Sequence, residues 1–329
     1  MKKLQYFETG STDPAYNLAF EEYLLEHYRE GDLLMLWQND RAVICGAHQN
    51  VAEEVDRNYA EKHGIRVVRR MTGGGAVYHD LGNLNYSFLT DRGEEEEFSL
   101  RRFTAPVVEA LGAMGLSAEA SGKNDILVEG QKVSGTAQRV DGDRILHHGT
   151  LLFDSDLSVL SSVLTPKKDK FQSKSTKSVR SRVGNLRAFL PEEITLPEFW
   201  DLLRDKLAGE GATPASQSLA EREAVEVLAE EKYRSFAWNY GRSPACKMQC
   251  SRRTDGGTVE VFGRIENGCF REIQFFGDFM ARKPVSAIEQ ALTGVPVEQE
   301  ALKAALAPFD LTQYFGTIPQ KELVSLLTE

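Results

Sequence analysis

The sequence predicts an α+β protein: a large domain of mixed and antiparallel sheets flanked by helices, followed by a small α+β domain. Apolar β-type runs follow one another strand to strand in the first part of the chain, and amphipathic helical patterns flank them. A turn-rich stretch, Asn239-Tyr240-Gly241-Arg242-Ser243-Pro244, then divides residues 1–240 from residues 241–329.

Asp13-Pro14 ahead of Leu18, Ala19, Tyr23 and Leu24 predicts a helix with proline in its first turn and an apolar stripe behind it. Leu33 to Trp37 and Ala42 to Cys45, separated by Asn39-Asp40, predict a hairpin. Ala52 to Lys62 reads as one helix stopped by Gly64. Val67 to Arg70 and Ala76 to Tyr78 read as strands on either side of Thr72-Gly73-Gly74-Gly75. Leu84 to Leu89 continues the sheet, Ser99 caps a helix reaching Met114, and Ile126 to Val128, Lys132-Val133 and Ile145 to Phe153 add strands. Thr165 to Arg182 sets seven Lys or Arg against the single acid Asp169, which predicts a long loop. Helical patterns at Thr195 to Leu207 and Leu219 to Glu231 complete the large domain. In the small one, Thr258 to Phe262 and Phe270 to Phe276 flank a turn at Glu266-Asn267-Gly268, and helices follow Pro284, Val297 and Pro319.

A chain of 329 residues with 41% hydrophobic and 27% charged positions can bury a sizeable core. Its formal net charge of -10 opposes broad affinity for nucleic acid or anionic membranes. No apolar run approaches the roughly 18 residues that span a bilayer, and the first residues turn polar too soon for a signal peptide. These features predict a cytoplasmic chain, with a monomer as the default state. Four scattered cysteines suit a reducing compartment. Cys246 and Cys250 have no histidine nearby, which disfavours a metal site there.

The densest chemical signal is Arg69-Arg70-Met71-Thr72-Gly73-Gly74-Gly75-Ala76-Val77-Tyr78-His79-Asp80. Three glycines without Cβ atoms let backbone amides approach phosphate or carboxylate oxygens, and Arg70 adds a charged fork. A tight strand connection alone would not need three, because each costs entropy on ordering. No Gly-Lys-Ser/Thr follows and the next segment is a strand, which disfavours a Walker loop or a dinucleotide fingerprint. In Asn124 to Arg139, Lys132 stands on a strand among small residues after a turn at Gly130. A lysine suits a site where a carboxylate meets the α-phosphate of ATP; at ~4 Å and an effective dielectric near 20 the contact is worth about 4 kcal/mol before desolvation. Taken alone, Lys132 reads as readily as a surface side chain.

These two segments resemble the lipoate-protein ligase A family, within the wider group of biotin and lipoate ligases. Arg69 to Asp80, extended by Leu81-Gly82-Asn83, is similar to the family's Arg-Arg-x-Ser/Thr-Gly-Gly-Gly-x-Val-x-His-Asp. Asn124 to Arg139 is similar to its Asn-Asp…Gly-x-Lys-x-Ser-Gly-x-Ala, with Lys132 at the family lysine. His147 to Leu152 and Ser178 to Val183 are similar as well, so the resemblance covers most of the first 240 residues, and the tail resembles the small C-terminal domain of the longer ligases. The resemblance implies a biotin/lipoate ligase-like fold and an ATP-dependent enzyme: lipoate and ATP give lipoyl-AMP and pyrophosphate, then an acceptor lysine attacks the mixed anhydride to form an amide.

The same resemblance implies that Lys132 is the catalytic residue, bridging lipoate and phosphate, and that Arg70, Gly75, Ala76, Val77 and Tyr78 hold ATP. Thr72, Gly73, Gly74, His79, Trp37, His148, Leu18 and Glu21 would then line the lipoate site together with Arg70, although Leu18 and Trp37 read equally well as core packing. Lys174, Ser178, Arg180 and Arg182 would belong to a loop that closes over the adenylate and keeps water from it. The alternatives are that its charges steer an acidic lipoyl domain or are simply solvated, with closure over the adenylate preferred to either. Magnesium is expected with ATP, without assigned ligands. The implied partners are lipoate and the apo lipoyl domains of 2-oxoacid dehydrogenase complexes and glycine-cleavage H protein.

Position 72 is threonine where serine is common, which keeps the hydroxyl. Cys45 raises the alternative of an ATP-independent lipoyl or octanoyl transferase with a cysteine nucleophile. Nothing in the sequence places an activating base beside it, which favours a buried structural thiol. A non-catalytic lipoate-binding protein is opposed by intact Arg70 and Lys132. A biotin ligase is opposed by Arg-Arg-x-Thr and His147-His148-Gly149.

Overall fold

The computed structural model describes residues 4–92, 100–121, 124–164, 171–172, 183–191, 194–243, 245–277, 279 and 282–328. In chain order the elements are β1 (Gln5–Glu8), α1 (Pro14–His27), β2 (Leu33–Trp37), β3 (Ala42–Cys45), α2 (Val51–Glu54), α3 (Arg57–Lys62), β4 (Arg66–Arg69), β5 (Val77–His79), β6 (Asn83–Asp91), α4 (Leu100–Ala113), β7 (Ala118–Ser121), β8 (Asp125–Val128), β9 (Gln131–Asp141), β10 (Arg144–Leu152), α5 (Leu157–Val163) and β11 (Phe171–Gln172). There follow α6 (Leu196–Ala208), α7 (Leu219–Leu228), β12 (Cys246–Thr254), β13 (Gly257–Glu266), β14 (Cys269–Gly277), α8 (Ser286–Leu292), α9 (Gln299–Leu306), α10 (Thr312–Phe315) and α11 (Gln320–Thr328). They fall into two compact units, the first made of Met1–Ala47, Val68–Leu160 and Val179–Arg234, the second of His48–Val67, Ser161–Ser178 and Ser235–Glu329.

The first unit is built on a seven-stranded sheet of order β1-β2-β6-β10-β9-β8-β7; β3 and β5 of this unit belong to a three-stranded sheet of order β4-β3-β5. Side chains alternate across a strand, so the large sheet has two distinct faces. On one, Leu34, Leu36, Leu84, Tyr86, Phe88 and Leu151 pack against Phe103, Val107 and Leu111 of α4 and Phe199 and Leu203 of α6. Each such side chain contributes about 1.5–3 kcal/mol when fully buried. The alternating positions, among them Trp37, Asn85, Ser87, Ala137 and His148, form the other face.

Helix α1 begins as read, with Asp13 accepting from Ala15 N–H and Pro14 in the first turn. It carries no simple stripe, however: Asn17, Glu21 and Glu22 are buried along with its apolar residues. The hairpin expected of Leu33–Trp37 and Ala42–Cys45 does not form. β2 pairs with β6 and β3 with β5. The intervening polar groups are engaged elsewhere: Asp40 N–H donates to Thr12 O at 2.9 Å, and the Asn39 amide is held by Asn17. The single helix expected over Ala52–Lys62 is two, because Asp56 caps a new start at Tyr59 N–H. Ser99 lies outside the described residues.

In the second unit, β12, β13 and β14 form an antiparallel meander whose inner side, including Val261, Phe270 and Ile273, packs on Leu292, Leu302, Phe315 and Leu327 of the helices. The hairpin at Asn267-Gly268 has positive φ at both residues, 52° and 73°, as its sequence predicts. Strand β12 and the short α10 escape the sequence reading. Asn239, Tyr240 and Gly241, which open the stretch read as turn-rich, instead close the single π-helical turn Ala237–Gly241.

Candidate active site

The glycine loop is organised from within by Arg70. Its Nε donates to Thr72 Oγ1 at 2.9 Å, Nη1 to Ile44 O at 3.0 Å, and Nη2 to Gly73 O and Gly75 O at 2.6 and 2.9 Å. The fork that sequence alone directs at an anion is therefore engaged with the loop's own backbone. Because a trans peptide sets C=O and the following N–H on opposite sides, turning the Gly73 and Gly75 carbonyls toward Arg70 turns the Gly74 and Ala76 amides the other way. The guanidinium thus fixes which way the loop's peptides face. Burial pulls the Arg70 pKa down to about 10, so it stays charged near neutrality. Gly74 adopts φ +92°, and a Cβ on Gly46 at the end of β3 would stand 2.1 Å from Gly74 O. Only a glycine there permits that approach.

From Arg70 a buried chain of polar groups runs across the sheet face. Thr72 Oγ1 lies 2.8 Å from His148 Nε2, and His148 Nδ1 lies 2.9 Å from Glu21 Oε1. Ser87 Oγ donates to the same carboxylate at 2.6 Å and accepts from Trp37 Nε1 at 2.8 Å. Arg70 Nε and Trp37 Nε1 only donate, so Thr72 Oγ1 and Ser87 Oγ accept from them, and Ser87 passes its own hydrogen on to Glu21. That carboxylate is 1% exposed. Leu18 is buried one turn before it on α1. Thus Trp37, Glu21, His148, Thr72 and Arg70 come together in one network, joined by Ser87, which nothing in the sequence singled out.

His79, on β5, meets the Trp37 ring edge-on at 6.3 Å between centroids. Its Nδ1 lies 3.0 Å from Asn39 Nδ2, and Asn39 Oδ1 in turn accepts from Asn17 Nδ2 at 2.9 Å. Burial, then the charge of Arg70, pushes the His79 pKa down to about 3. Ala76 and Tyr78 are buried beside it, and burial raises the Tyr78 hydroxyl to about 12.

Lys132 reaches this face through a bulge. Ile126 pairs with Ser134 but Leu127 with Lys132, leaving Val133 as the extra residue. Without it Lys132 would point opposite to Gly135; with it both side-chain directions coincide. A Cβ on Gly135 would lie 3.2 Å from Lys132 Nζ, and one on Gly74 would lie 4.0 Å from Ala137 Cβ. Gly135 and Ala137 share a face of β9 about 6.6 Å apart, so the amine and the glycine loop stand over one short stretch of strand. Lys132 Nζ pairs with Asp125 at 2.8 Å. Cys45 is fully buried, and its carbonyl accepts from Arg70 N–H at 2.9 Å, which suits a structural thiol. Lys174, Ser178, Arg180 and Arg182 lie outside the described residues.

Residues 13–208 match the model of the lipoyl protein ligase A/B catalytic domain, and residues 243–327 that of the bacterial lipoate protein ligase C-terminus. The chain is 40% identical to lipoate-protein ligase LplJ of Bacillus subtilis over 320 residues, covering 96% of this chain and 97% of that one. A structure described as lipoate-protein ligase A bound with ATP superposes with TM-score 0.61 and 30% identity, over 73% of this chain and 99% of its own. A bipartite lipoate protein ligase of Thermoplasma acidophilum, described with its E2 lipoyl domain, gives TM-score 0.61 and 28% identity over 73% and 96%. The chain belongs to the lipoyl protein ligase A/B family and carries the C-terminal domain of the bacterial lipoate protein ligases.

Proposed function

We propose that this chain is an ATP-dependent lipoate-protein ligase. The lipoate carboxylate attacks the α-phosphate of ATP, releasing pyrophosphate and forming lipoyl-AMP. A lysine amine of a lipoyl domain then attacks the acyl carbon, AMP leaves with the bonding pair, the amine loses its proton, and an amide results. The observation that carries this reading is the placement of Lys132 Nζ and the glycine loop over the same stretch of β9. There the amine offsets the charge that accumulates as carboxylate meets phosphate, while backbone amides hold phosphate oxygens already oriented. The ATP-bound and lipoyl-domain-associated relatives support the substrates. The full burial of Cys45 speaks against transfer through a thiolate.

In this reading Gly75 to Tyr78 hold the nucleotide, Arg70 acts by shaping the loop, and Thr72, Gly73, Gly74, His79, Trp37, His148, Glu21 and Leu18 surround lipoate. Magnesium fits as a companion of ATP. Among the described residues no group of three or more His, Cys, Asp or Glu could hold a metal, and magnesium commonly rides on substrate phosphates with one or two carboxylates. Asp125, paired with Lys132 at 2.8 Å, is a carboxylate of suitable chemistry. Lys174, Ser178, Arg180 and Arg182 are assigned to the segment that shields the adenylate, residues 1–240 to catalysis and 241–329 to an accessory role. The acceptors are apo lipoyl domains of 2-oxoacid dehydrogenases and H protein, met in the cytoplasm by a monomer.

The test is lipoate-dependent pyrophosphate release from ATP by the purified chain, followed by the mass of an added apo lipoyl domain. Release with a lipoyl mass gain is expected. A gain from an acyl donor without ATP would instead establish the thiol transferase.

A further inference from the structure

His79 carries a buried donor whose identity is fixed by its neighbours. Asn17 Nδ2 lies within 3.0 Å of three oxygens, Ser11 O, Gln38 O and Asn39 Oδ1, so it is the amide nitrogen, and Asn39 must turn its oxygen to it. Asn39 then presents Nδ2–H to His79 Nδ1, which accepts. A neutral imidazole with an accepting Nδ1 holds its hydrogen on Nε2. His79 is 3% exposed, and among the described residues its Nε2 has no partner. A buried orphan donor calls for a ligand or water group that meets it.

The sheet register says what part of a substrate lies there. Trp37, against which the His79 ring rests, pairs with Asn85, Asn85 with Thr150, and the Thr150 hydroxyl with Gly135 N–H, beneath Lys132 Nζ. Three strand spacings, about 14 Å, separate the Lys132 end from the Trp37 end. That span suits an extended medium-chain acid with its carboxylate at Lys132, and places the tail of the chain at Trp37 and His79. Along the row the Asn85 amide, 1% exposed, also leaves Nδ2 without a partner among the described residues. A plain alkyl tail would strand such donors; a disulfide ring offers sulfur lone pairs to them.

We propose that His79 Nε2–H is a specificity-determining donor to the dithiolane sulfurs, selecting lipoate over octanoate. This deepens the ligase reading and rests on it. A site shaped to donate to a substrate group discriminates against the analogue lacking that group. Sulfur is a weak acceptor, so roughly tenfold in kcat/KM is the scale.

The experiment compares lipoate and octanoate as drivers of pyrophosphate release. His79→Phe should lower kcat/KM for lipoate about tenfold relative to that for octanoate, while His79→Gln, which keeps an N–H near the Nε2 position, should restore the preference. An unchanged ratio, or an equal fall for both acids, overturns the proposal. If the Phe variant does not fold, the ring ¹⁵N signal of His79 in the unaltered protein decides: Nε2–H should shift with lipoate and not with octanoate, and an equal shift overturns it. No pyrophosphate release with either acid would remove the ligase reading instead, and the ring signal would still report the sulfur contact.

Discussion

At the scale of single residues, the site depends on where hydrogens and charges are directed. Glu21 receives hydrogens from Ser87 and His148 and balances Arg70 through Thr72. Glu21→Gln keeps the volume but turns an amide N–H toward one of those donors, leaving two buried donors face to face. It should destabilise by about 1–3 kcal/mol, read as a lower urea midpoint at unchanged slope; an unaltered midpoint would refute the converging network. Lys132, half-buried and paired only at the surface of the site, should behave in the opposite way. Lys132→Ala should leave the urea midpoint nearly unchanged and slow lipoyl-AMP formation by roughly a hundredfold or more. Adenylation at the original rate would remove its catalytic role. Lys132 and the glycines were legible in the sequence because their residue types are scarce solutions to phosphate chemistry. Ser87 and Asn39 were not, since a serine in a strand and an asparagine in a turn have ordinary uses, and only the fold brings them to Trp37 and His79.

At the scale of elements, local patterns predicted strands and helices well but pairings poorly. The Asn267-Gly268 turn is self-contained, so its hairpin is written in neighbouring residues. The Leu33–Cys45 segment looks similar in hydropathy, yet its two strands enter different sheets because Asn39 and Asp40 bond to distant partners. Strand β9 runs from Gln131 to Asp141 although Thr136, Gln138 and Arg139 interrupt its apolar pattern, since ladders on both sides hold it. Tyr86 and Gly149 are cross-strand neighbours, and the tyrosine ring occupies the space over the glycine: an added Cβ would lie 2.4 Å from its hydroxyl. Gly149→Ala should therefore cost about 1–3 kcal/mol by overpacking, checked by thermal denaturation. A melting temperature equal to the parent's would mean that the β6–β10 pair yields more easily than its packing implies.

At the scale of the whole molecule, burial of neutral histidines links stability to pH. His147 is fully buried against Phe103, and burial holds both it and His79 at about 3. Because these folded-state values lie below the unfolded value of 6.5, the unfolded chain takes up protons first as pH falls. Their contribution is complete above that value and declines as pH drops from it toward 3. By pH 5 each histidine should cost about 2 kcal/mol, measurable as a lower denaturant midpoint than at pH 7.5, and a His147→Phe variant should lose less over the same interval. Equal midpoints for the parent at both pH values would contradict neutral burial. The bulge at Val133 has a consequence of another kind. Side chains on a strand obey an odd-even rule, and the amine reaches the phosphate side only because the count between Lys132 and Gly135 is odd with one residue set aside. Losing or gaining one residue within that interval would send the amine through the sheet into the hydrocarbon side with every letter of the motif still present. The turn at Gly142, by contrast, can change length without touching that count. For relatives of this chain, spacing inside the interval is thus as informative about competence as the identity of the lysine itself.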